Sequence, residues 1–358
     1  MTLRTRLVYL LLAMGIMLSS AAWCAGPKNV LVIVNDKSPI SRMIGAYYAS
    51  KRKIPAKNVY HIKCDPAELT PTETYQNQIQ KPVKEYLAKT GLNKTVDYLV
   101  LTKGVPMRLH GGWSVDSALM CMDQPTKFDK LDVHAMNPYY SKSEHFSHRK
   151  YGFYLATRLD GYTVQDAKAL VDRSLAAKPA KGLFLIDTTP RRNSKGFAAM
   201  NQRMADAYEK ILWLNYDTTI ENTEAFAGGK KDLMGYFSWG SNDPAFDRAK
   251  YKSNTFRPGA IAETAVSSSA RTLNRTNDGG QSLIGDLIEA GVTGVKGYVA
   301  EPTLAAIADP LVLFDRYLSG YNLAESFYMA SRFIFWREVV IGDPLCAPYA
   351  TRTGKTGN

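Results

Sequence analysis

Apolar runs of strand length alternate with amphipathic segments of helix length along most of this chain. Strands that are buried on both faces of a parallel sheet read as continuous apolar runs, and amphipathic helices connect them. The alternation predicts an α/β fold built on a doubly wound, mostly parallel sheet. The predicted strands cover 30–34, 59–62, 97–102, 151–157, 182–187, 232–237, 259–266, 294–299 and 339–344, and the predicted helices cover 39–49, 72–90, 164–177, 200–212, 281–290, 310–318 and 323–335.

One long segment, 104–150, interrupts this alternation. It is rich in Gly, Ser, Asp, Met, His and Tyr and shows no lasting periodicity. A connection of this length within a compact domain is usually a functional loop or a mobile excursion. We predict a single domain over 25–350, and a division into two abutting halves, 25–180 and 181–350, stays open as an alternative. Residues 351–358 are predicted to form a disordered tail.

The first 24 residues have the pattern of a secretory signal peptide. Arg4 and Arg6 precede the apolar run 7–18, and the small residues of 19–22 follow it. The run is too short for a comfortable membrane span, and no later segment approaches that length. We therefore expect a secreted or periplasmic protein with no transmembrane segment in its mature chain, and an uncleaved N-terminal anchor is the alternative.

The charge balance is basic, with 45 Lys and Arg against 33 Asp and Glu and a formal net charge of +12. A polyanionic partner, such as an acidic polysaccharide, is one interpretation. We favour a dispersed, solvated surface, because no long run of Lys or Arg occurs. Export argues against a nucleic-acid partner. Phosphate-binding loops, dinucleotide fingerprints, zinc-protease helices and serine-hydrolase elbows are absent from the sequence, so we expect no cofactor.

Cleavage near residue 24 leaves the three cysteines Cys64, Cys121 and Cys346. One disulfide with one free thiol fits an oxidising compartment. Three buried thiols are equally expected, because a domain of this size needs no covalent staple. No Cys-x-x-Cys occurs, so neither a zinc knuckle nor a thioredoxin-like site is predicted.

Acidic residues follow the carboxyl ends of many predicted strands, where ligands and catalytic groups gather in open α/β sheets. Lys103 and Arg158 lie at the same level. Asp36 and Asp160, with Arg158 as the basic partner, are our first choices for a divalent-cation site or a general acid/base pair. For any single Asp, capping of the next helix is the more common role. The acidic residues are Asp36, Asp65, Asp160, Asp187, Asp243 and Glu301.

Two weaker candidates lie in 104–150. His145 and His148 have a spacing that one helical turn brings together on a metal, but no third ligand follows from the pattern, and we favour a polar mobile loop. Gly111 and Gly112 allow tight backbone turns before Ser114 and Asp116, and this segment either lines a pocket or forms a simple turn.

The strands 232–237 and 259–266 run into polar segments that contain no His and no Cys. In order and spacing, 236–241, 264–269 and 322–345 resemble the second half of gingipain-type, caspase-like cysteine peptidases. In that family one strand ends in His-Gly with the catalytic His, and the next strand ends at the catalytic Cys. Here Trp239 stands at the His position and a serine of 267–269 stands at the Cys position. The resemblance implies a caspase-like (gingipain-like) sheet that has lost its peptidase dyad.

A second resemblance covers nearly the whole mature chain. It rests on 32–39, 103–106, 114–117 and 157–161, which resemble an uncharacterised family of secreted bacterial proteins. That family occurs in species that carry exosortase, a protein-sorting transpeptidase of the envelope that is often linked to exopolysaccharide. The resemblance implies an envelope setting and no mechanism.

Three functions compete on these grounds. The first is a non-peptidase caspase-like domain that binds a peptide or an envelope polymer, such as an anionic polysaccharide. It binds this ligand in the cleft that corresponds to the active site of the peptidases. The second is a hydrolase with altered chemistry that uses a serine of 267–269, Ser268 first, or the Asp36/Asp160 carboxylates. The third is a structural accessory of an exosortase and exopolysaccharide system. The predicted cleft residues are Trp239, Ser241, Asp243, Ser267, Ser268, Ser269, Arg158, Asp116 and Lys103.

Overall fold

The computed structural model describes residues 25–124, 134–276 and 279–350. The predicted signal peptide 1–24 and the predicted tail 351–358 lie outside the described residues. In chain order the described strands are β1 (Val30–Asn35), β2 (Val59–Ile62), β3 (Leu69–Thr70), β4 (Tyr98–Thr102), β5 (Arg108–Leu109), β6 (Ala135–Met136), β7 (Leu155–Leu159), β8 (Phe184–Thr188), β9 (Thr218–Asn222), β10 (Leu233–Ser238), β11 (Phe256–Thr264), β12 (Gly294–Tyr298), β13 (Phe333–Ile334) and β14 (Glu338–Gly342).

The helices occupy the connections between these strands. A π-helical segment, Gln76–Gln80, joins the second helix to the third. In chain order the described helices are α1 (Pro39–Arg52), α2 (Thr72–Tyr75), α3 (Lys81–Thr90), α4 (Val115–Met120), α5 (His148–Tyr151), α6 (Val164–Ala176), α7 (Lys195–Trp213), α8 (Arg248–Ser253), α9 (Ile284–Glu289), α10 (Pro310–Leu318) and α11 (Leu323–Ala330).

Ten of the described strands form one sheet in the order β2-β1-β4-β7-β14-β12-β11-β10-β8-β9. On one side of β14, neighbouring strands of the series β2-β1-β4-β7 pair in parallel, and on the other side neighbouring strands of the series β12-β11-β10-β8-β9 do the same. β14 runs antiparallel to β12 and meets β7 at one bridge, where Ile341 lies opposite Arg158. The predicted α/β fold with a large, mostly parallel sheet is confirmed. Strands from both 25–180 and 181–350 contribute to this sheet.

The carboxyl ends of β4 and β11 lie at the same edge of the molecule. Lys103 follows β4, and its Nζ donates to the carbonyl oxygen of Leu273, beyond β11, at 3.0 Å. The Thr272 hydroxyl and the Leu273 N–H donate to the Glu68 carboxylate at 2.7 and 2.8 Å. Polar segments that follow strands in both parts of the sheet therefore share one edge.

Helix α1 illustrates how the sequence builds this edge. Ser38 caps the helix by accepting a hydrogen bond from the Ser41 N–H at 3.2 Å, and Pro39 occupies its first turn. Gly45 lies so close to β1 that a Cβ at this position would collide with the side chain of Val34. The helix predicted over 39–49 thus begins where the structure places α1, and the close approach to the sheet explains the glycine on its buried face.

Several predicted elements differ from the structure in extent. The predicted helix 200–212 begins at Lys195, and the predicted helix 281–290 is confined to Ile284–Glu289. The predicted strand 151–157 begins only at Leu155, because Tyr151 ends α5 and Gly152 closes that helix with a φ of 75°. The predicted helix 323–335 stops at Ala330, because the chain turns extended at Ser331 and forms β13. Phe335 has a φ of 59°, which a continuous helix does not allow.

The predicted irregular segment 104–150 is not a continuous loop in its described parts. Strand β5 pairs with β3, and β6 pairs with β13. Helix α4 is buried along its whole length, with Ser114 as its N-cap. Residues 125–133 of this segment lie outside the described residues.

The three cysteines Cys64, Cys121 and Cys346 are buried, and none of them forms a disulfide. Of the two alternatives that the sequence left open, the structure therefore has the three buried thiols. Across 25–124, 134–276 and 279–350, no helix combines the length and the apolarity that crossing a bilayer requires.

Candidate functional site

A depression of about 280 Å³ lies beyond the carboxyl ends of β8, β10, β11 and β12. We call it the central pocket. Its walls combine aromatic and aliphatic side chains with polar groups from the segments that follow these strands. They include Arg192, Phe197, Trp239, Ser267, Gln281 and Glu301.

Trp239 forms a buried wall of this pocket and is only 1% exposed. Its indole Nε1–H donates to Asn201 Oδ1 in α7 at 2.7 Å, and its ring meets the Phe197 ring edge to face at 5.5 Å. The Asn201 amide in turn donates to the carbonyl oxygens of Thr189 and Arg192 at 2.9 and 3.0 Å. An indole N–H donates and cannot accept a proton. Trp239 therefore supplies shape at this position and cannot serve as a general base.

The three serines that follow β11 have three different surroundings. The Ser267 hydroxyl donates to Glu301 Oε1 at 3.1 Å. The hydroxyl and the N–H of Ser268 both donate to Gln281 Oε1, at 2.6 and 2.9 Å. Ser269 is fully buried, and its hydroxyl has no hydrogen-bond partner among the described residues. A serine nucleophile requires a neighbouring base, and Ser267 is the serine of the three whose hydroxyl meets a carboxylate.

Backbone donors around the pocket are largely occupied by side-chain oxygens. The Gly240 N–H donates to Ser238 Oγ at 2.9 Å, and the Ser241 N–H donates to Ser282 Oγ at 3.2 Å. The Ser268 N–H is held by Gln281, as described above. Stabilisation of a tetrahedral acyl intermediate requires N–H groups that point into the site. The engagement of these three donors disfavours acyl transfer here.

A buried carboxyl supports the turn that carries Trp239. The Ser238 hydroxyl donates to Asp187 Oδ2 at 2.8 Å, and the Ala227 N–H donates to Asp187 Oδ1 at 3.3 Å. Asp187 lies at the end of β8 and is fully buried. Its burial raises the pKa of the carboxyl to about 7, against the lowering effect of these two hydrogen bonds. Asp187 therefore links β8 to the β10 turn beneath the pocket rather than facing a ligand.

A buried polar cluster fixes the segment 299–310, which forms the far wall of the pocket. Lys296 Nζ donates to the Tyr298 hydroxyl at 2.8 Å and to the Ala306 carbonyl oxygen at 3.1 Å. The Tyr298 hydroxyl donates to Glu263 Oε1 at 2.7 Å, which also accepts from the Ala308 N–H at 3.3 Å. Burial lowers the pKa of Lys296 and raises that of Glu263. These contacts tie 299–310 to strands β11 and β12.

Arg192 is the cation of the central pocket. Its Nε donates to the Asn242 carbonyl oxygen at 2.6 Å, and its guanidinium lies 4.9 Å from the centroid of the Phe197 ring. No carboxylate pairs with it within the described part of the chain. Arg192 is thus held in place by neutral groups.

Four of the predicted site residues lie in a second cluster instead. Arg158 and Asp116 are fully buried, with Arg158 Nε donating to Asp116 Oδ2 at 3.1 Å. Lys103 Nζ donates to Asp160 Oδ1 at 3.0 Å. Lys103 and Asp160 line a separate depression of about 460 Å³, beside Ser38 at the start of α1. The structure therefore distributes the predicted cleft residues over two places.

The predicted Asp36/Asp160 pair is not brought together in one contact. Asp36 Oδ1 is hydrogen-bonded to His61 Nδ1 at 2.6 Å, whereas Asp160 meets Lys103. His145 meets the Glu325 carboxylate at 3.1 Å, and His148 meets the Phe153 carbonyl oxygen at 3.1 Å, so the two histidines have separate partners. The described residues bring no three His, Cys, Asp or Glu side chains together around one metal position.

Ser241 and Asp243 belong to the turn after β10. Ser241 Oγ accepts from the Ser282 N–H at 2.9 Å, and Asp243 Oδ1 accepts from the Ala245 N–H at 2.7 Å. Asp243 has the local turn-stabilising role that is common for such residues, whereas Ser241 ties the turn to Ser282.

Among the residues that build the pocket, sequence reasoning missed Arg192, Phe197 and Asn201, as well as Gln281, Leu304 and Ile307. Arg192 follows the predicted strand 182–187, and Phe197 lies in the first turn of α7, which begins at Lys195 and was predicted to begin only at residue 200. Asn201 is the second residue of the predicted helix 200–212. Arg192 could have been identified from its position, because Arg191 and Arg192 come just beyond a predicted strand. The acidic candidates were chosen for the same position.

Comparison with known proteins supports the fold. No family model matches the sequence, and no curated protein matches it. Among solved structures, the complex of the pro- and mature domains of RgpB from Porphyromonas gingivalis aligns with a TM-score of 0.53 at 11% identity, over 89% of this chain and 79% of that one. A second structure, described only as a protease, aligns with a TM-score of 0.46 at 12% identity, over 90% of this chain and 79% of that one. The chain has a caspase-like, gingipain-like fold.

Proposed function

We propose that this protein is a non-peptidase domain of caspase-like fold that binds a peptide segment in the central pocket. The observation that carries the proposal is the state of Trp239. The sequence resemblance assigns this position to a catalytic His, yet the side chain is a buried indole whose N–H is satisfied by Asn201. The pocket beside it stays open, with Arg192 and Glu301 among its walls. The central pocket therefore offers surface for a ligand, although position 239 supplies no proton acceptor.

The walls of the pocket suit a peptide better than a uniformly anionic polymer. Phe197, Leu304 and Ile307 offer apolar surface, while Arg192 and Gln281 offer polar contacts. A peptide presents apolar side chains together with backbone N–H and C=O groups, and a lining of mixed character complements both. A polyanionic sugar chain is better served by several cations in a row, whereas this pocket is lined by one arginine, Arg192, and by the carboxylate of Glu301.

We infer further that the ligand is met outside the cytoplasm. Support comes from the predicted signal peptide 1–24 and from the resemblance to exosortase-associated secreted proteins. A peptide of an envelope protein is the ligand that combines this setting with the pocket chemistry. Binding of an acidic polysaccharide in place of peptides would favour the role in an exopolysaccharide system instead.

The test is selection from a random peptide library displayed on phage, followed by titration of synthesised peptides. Thr303 is exposed and lines the pocket, so Thr303→Trp fills it. We expect Thr303→Trp to weaken binding at least about tenfold, an effect of about 1.4 kcal/mol. Thr90→Trp, at an exposed position in α3, serves as the matched control. Failure to select any peptide, or equal binding by both variants, would contradict the proposal.

One contact favours a second candidate function, a serine hydrolase. The Ser267 hydroxyl donates to Glu301, so a nucleophile and a carboxylate are adjacent. Against this role, Glu301 is exposed to solvent, and a solvated carboxylate is a weak general base toward an alcohol. The occupied N–H groups of Gly240 and Ser241 also leave little to stabilise an oxyanion. We rank this function second for these reasons.

A further inference from the structure

An apolar depression of about 330 Å³ adjoins the central pocket. The two depressions share Leu304 and Ile307, which stand between them on the segment 299–310. We call the second depression the side pocket. Its other walls include Met200 and Pro310, and the small residues Gly196 and Ala199 of α7 leave it open.

The rim of the side pocket contains two arginines in different electrostatic states. Arg203 is neutralised by Asp309, which accepts from Arg203 Nε at 3.0 Å. Arg332 is exposed, lies 5.5 Å from the centroid of the Tyr140 ring, and donates from Nε to the Tyr140 hydroxyl at 3.4 Å. Within the described residues, Arg332 has no carboxylate partner. The Tyr140 hydroxyl itself donates to Asp309 Oδ2 at 3.2 Å, so Arg332 is linked to that carboxylate only through Tyr140. The guanidinium of Arg332 is therefore a positive charge beside the apolar depression that no described carboxylate contacts directly.

We propose that the side pocket is a second subsite of the peptide-binding cleft, and that it takes a bulky aliphatic or aromatic side chain whose neighbouring residue places a carboxylate on Arg332. The inference rests on the proposed peptide binding in the central pocket. It adds a sequence preference: one large apolar residue, followed or preceded by an acidic residue or a terminal carboxylate.

Two physical arguments select this occupant. Met200, Leu304 and Ile307 provide the contacts that a large apolar side chain gains on leaving water, and burial of such a side chain corresponds to roughly 10- to 100-fold in affinity. The guanidinium of Arg332, which pairs directly with no carboxylate among the described residues, complements an anion and disfavours a cation. Continuity through Leu304 and Ile307 lets one extended peptide reach both depressions.

The test compares two neighbouring alanines of α7. Ala199 lines the side pocket and Ala198 does not, although both are exposed. Phage selection with the wild-type protein should yield peptides with a bulky apolar residue beside an acidic one. For such a peptide, Ala199→Trp should weaken binding at least about tenfold, while Ala198→Trp leaves it unchanged.

A companion pair tests the charge. Arg332→Ala should weaken the acidic peptide several-fold and leave its amide analogue unaffected, and Arg149→Ala, at an exposed position in α5, should change neither. Peptides that bind, lose affinity in Thr303→Trp and yet are indifferent to Ala199→Trp would overturn the second subsite alone. A protein that selects no peptide would overturn both this inference and the proposed function.

Discussion

The indole N–H of Trp239 donates to Asn201 Oδ1 at 2.7 Å, joining the turn after β10 to helix α7. The Asn201 amide also donates to the carbonyl oxygens of Thr189 and Arg192. This one side chain therefore connects helix α7 both to the turn after β10 and to the segment after β8. The position that the sequence resemblance assigns to a catalytic base thus has a packing role.

Replacing Trp239 should cost stability. Trp239→Ala removes a fully packed indole and leaves Asn201 Oδ1 without its donor, so we expect a loss of about 3–5 kcal/mol in the free energy of unfolding. Urea denaturation followed by circular dichroism measures it. Trp213→Ala is the control, because Trp213 is 76% exposed and should change stability little. Equal effects at both positions would contradict the packing role.

Asp187 makes a specific contribution to the pH dependence of stability. Burial raises its pKa from 3.8 to about 7, so between these values the folded state binds a proton that the unfolded state has lost. The stability that the protonated Asp187 carboxyl adds to the folded state is therefore fully present below pH 3.8 and is lost as the pH rises toward 7. The shift corresponds to an effect on the order of a few kcal/mol.

Asp187→Asn should accordingly flatten the decline in melting temperature between pH 4 and pH 7, since its amide can accept from Ser238 without titrating. Differential scanning fluorimetry across this range checks it. The exposed Asp217→Asn variant should keep the wild-type slope. An Asp187→Asn profile that parallels the wild type would remove Asp187 as the cause.

Arg158 and Asp116 should act as a structural pair. Arg158→Met leaves the buried Asp116 carboxylate without its cation, and breaking a buried pair in this way costs about 3–5 kcal/mol. Adding Asp116→Leu should restore much of that loss, because the unpaired charge is then gone. A double-mutant cycle in chemical denaturation gives the coupling energy. Additive effects would show that the two side chains act independently.

The serines offer a direct test of the hydrolase alternative. We expect no labelling of the purified protein by a fluorophosphonate probe, because Ser268 meets an amide and Ser267 meets a solvated carboxylate. Mass spectrometry of tryptic peptides would detect labelling. A label that disappears in Ser267→Ala but persists in Ser268→Ala would reverse the ranking of the two functions.

The strands at the centre of the large sheet could be predicted from the sequence because they are almost wholly apolar. Strands β1, β4 and β10 are buried at every position, so their predicted ends agree with the structure within about one residue. β9 was missed, since four of its five residues, Thr218–Asn222, are polar and the strand is only half buried at the edge of the sheet. A half-exposed edge strand lacks the apolar run on which the prediction depended.

The site was less predictable because its contacts join residues that are distant in sequence. Asn201 reaches Trp239 across 38 positions, and Asp116 reaches Arg158 across 42. The sequence placed Arg158 and Asp116 at a strand end and in a Gly-rich segment, but nothing in either pattern distinguishes a buried ion pair from a ligand-binding group. Lys296 and Glu263 lie inside predicted apolar strands, and only the packing reveals that they support 299–310.

The central claim is that the cleft binds a peptide through Arg192 and leaves it uncut. Fluorescence anisotropy of a phage-selected peptide, titrated with wild type, Arg192→Ala and Arg191→Ala, tests it most directly. Arg191 is the adjacent residue, is exposed and pairs with Glu224 outside the pocket. The account predicts binding at least about tenfold weaker in Arg192→Ala alone, with a stable signal over time. Equal binding by all three proteins, or a signal that decays as the peptide is cleaved, would contradict it.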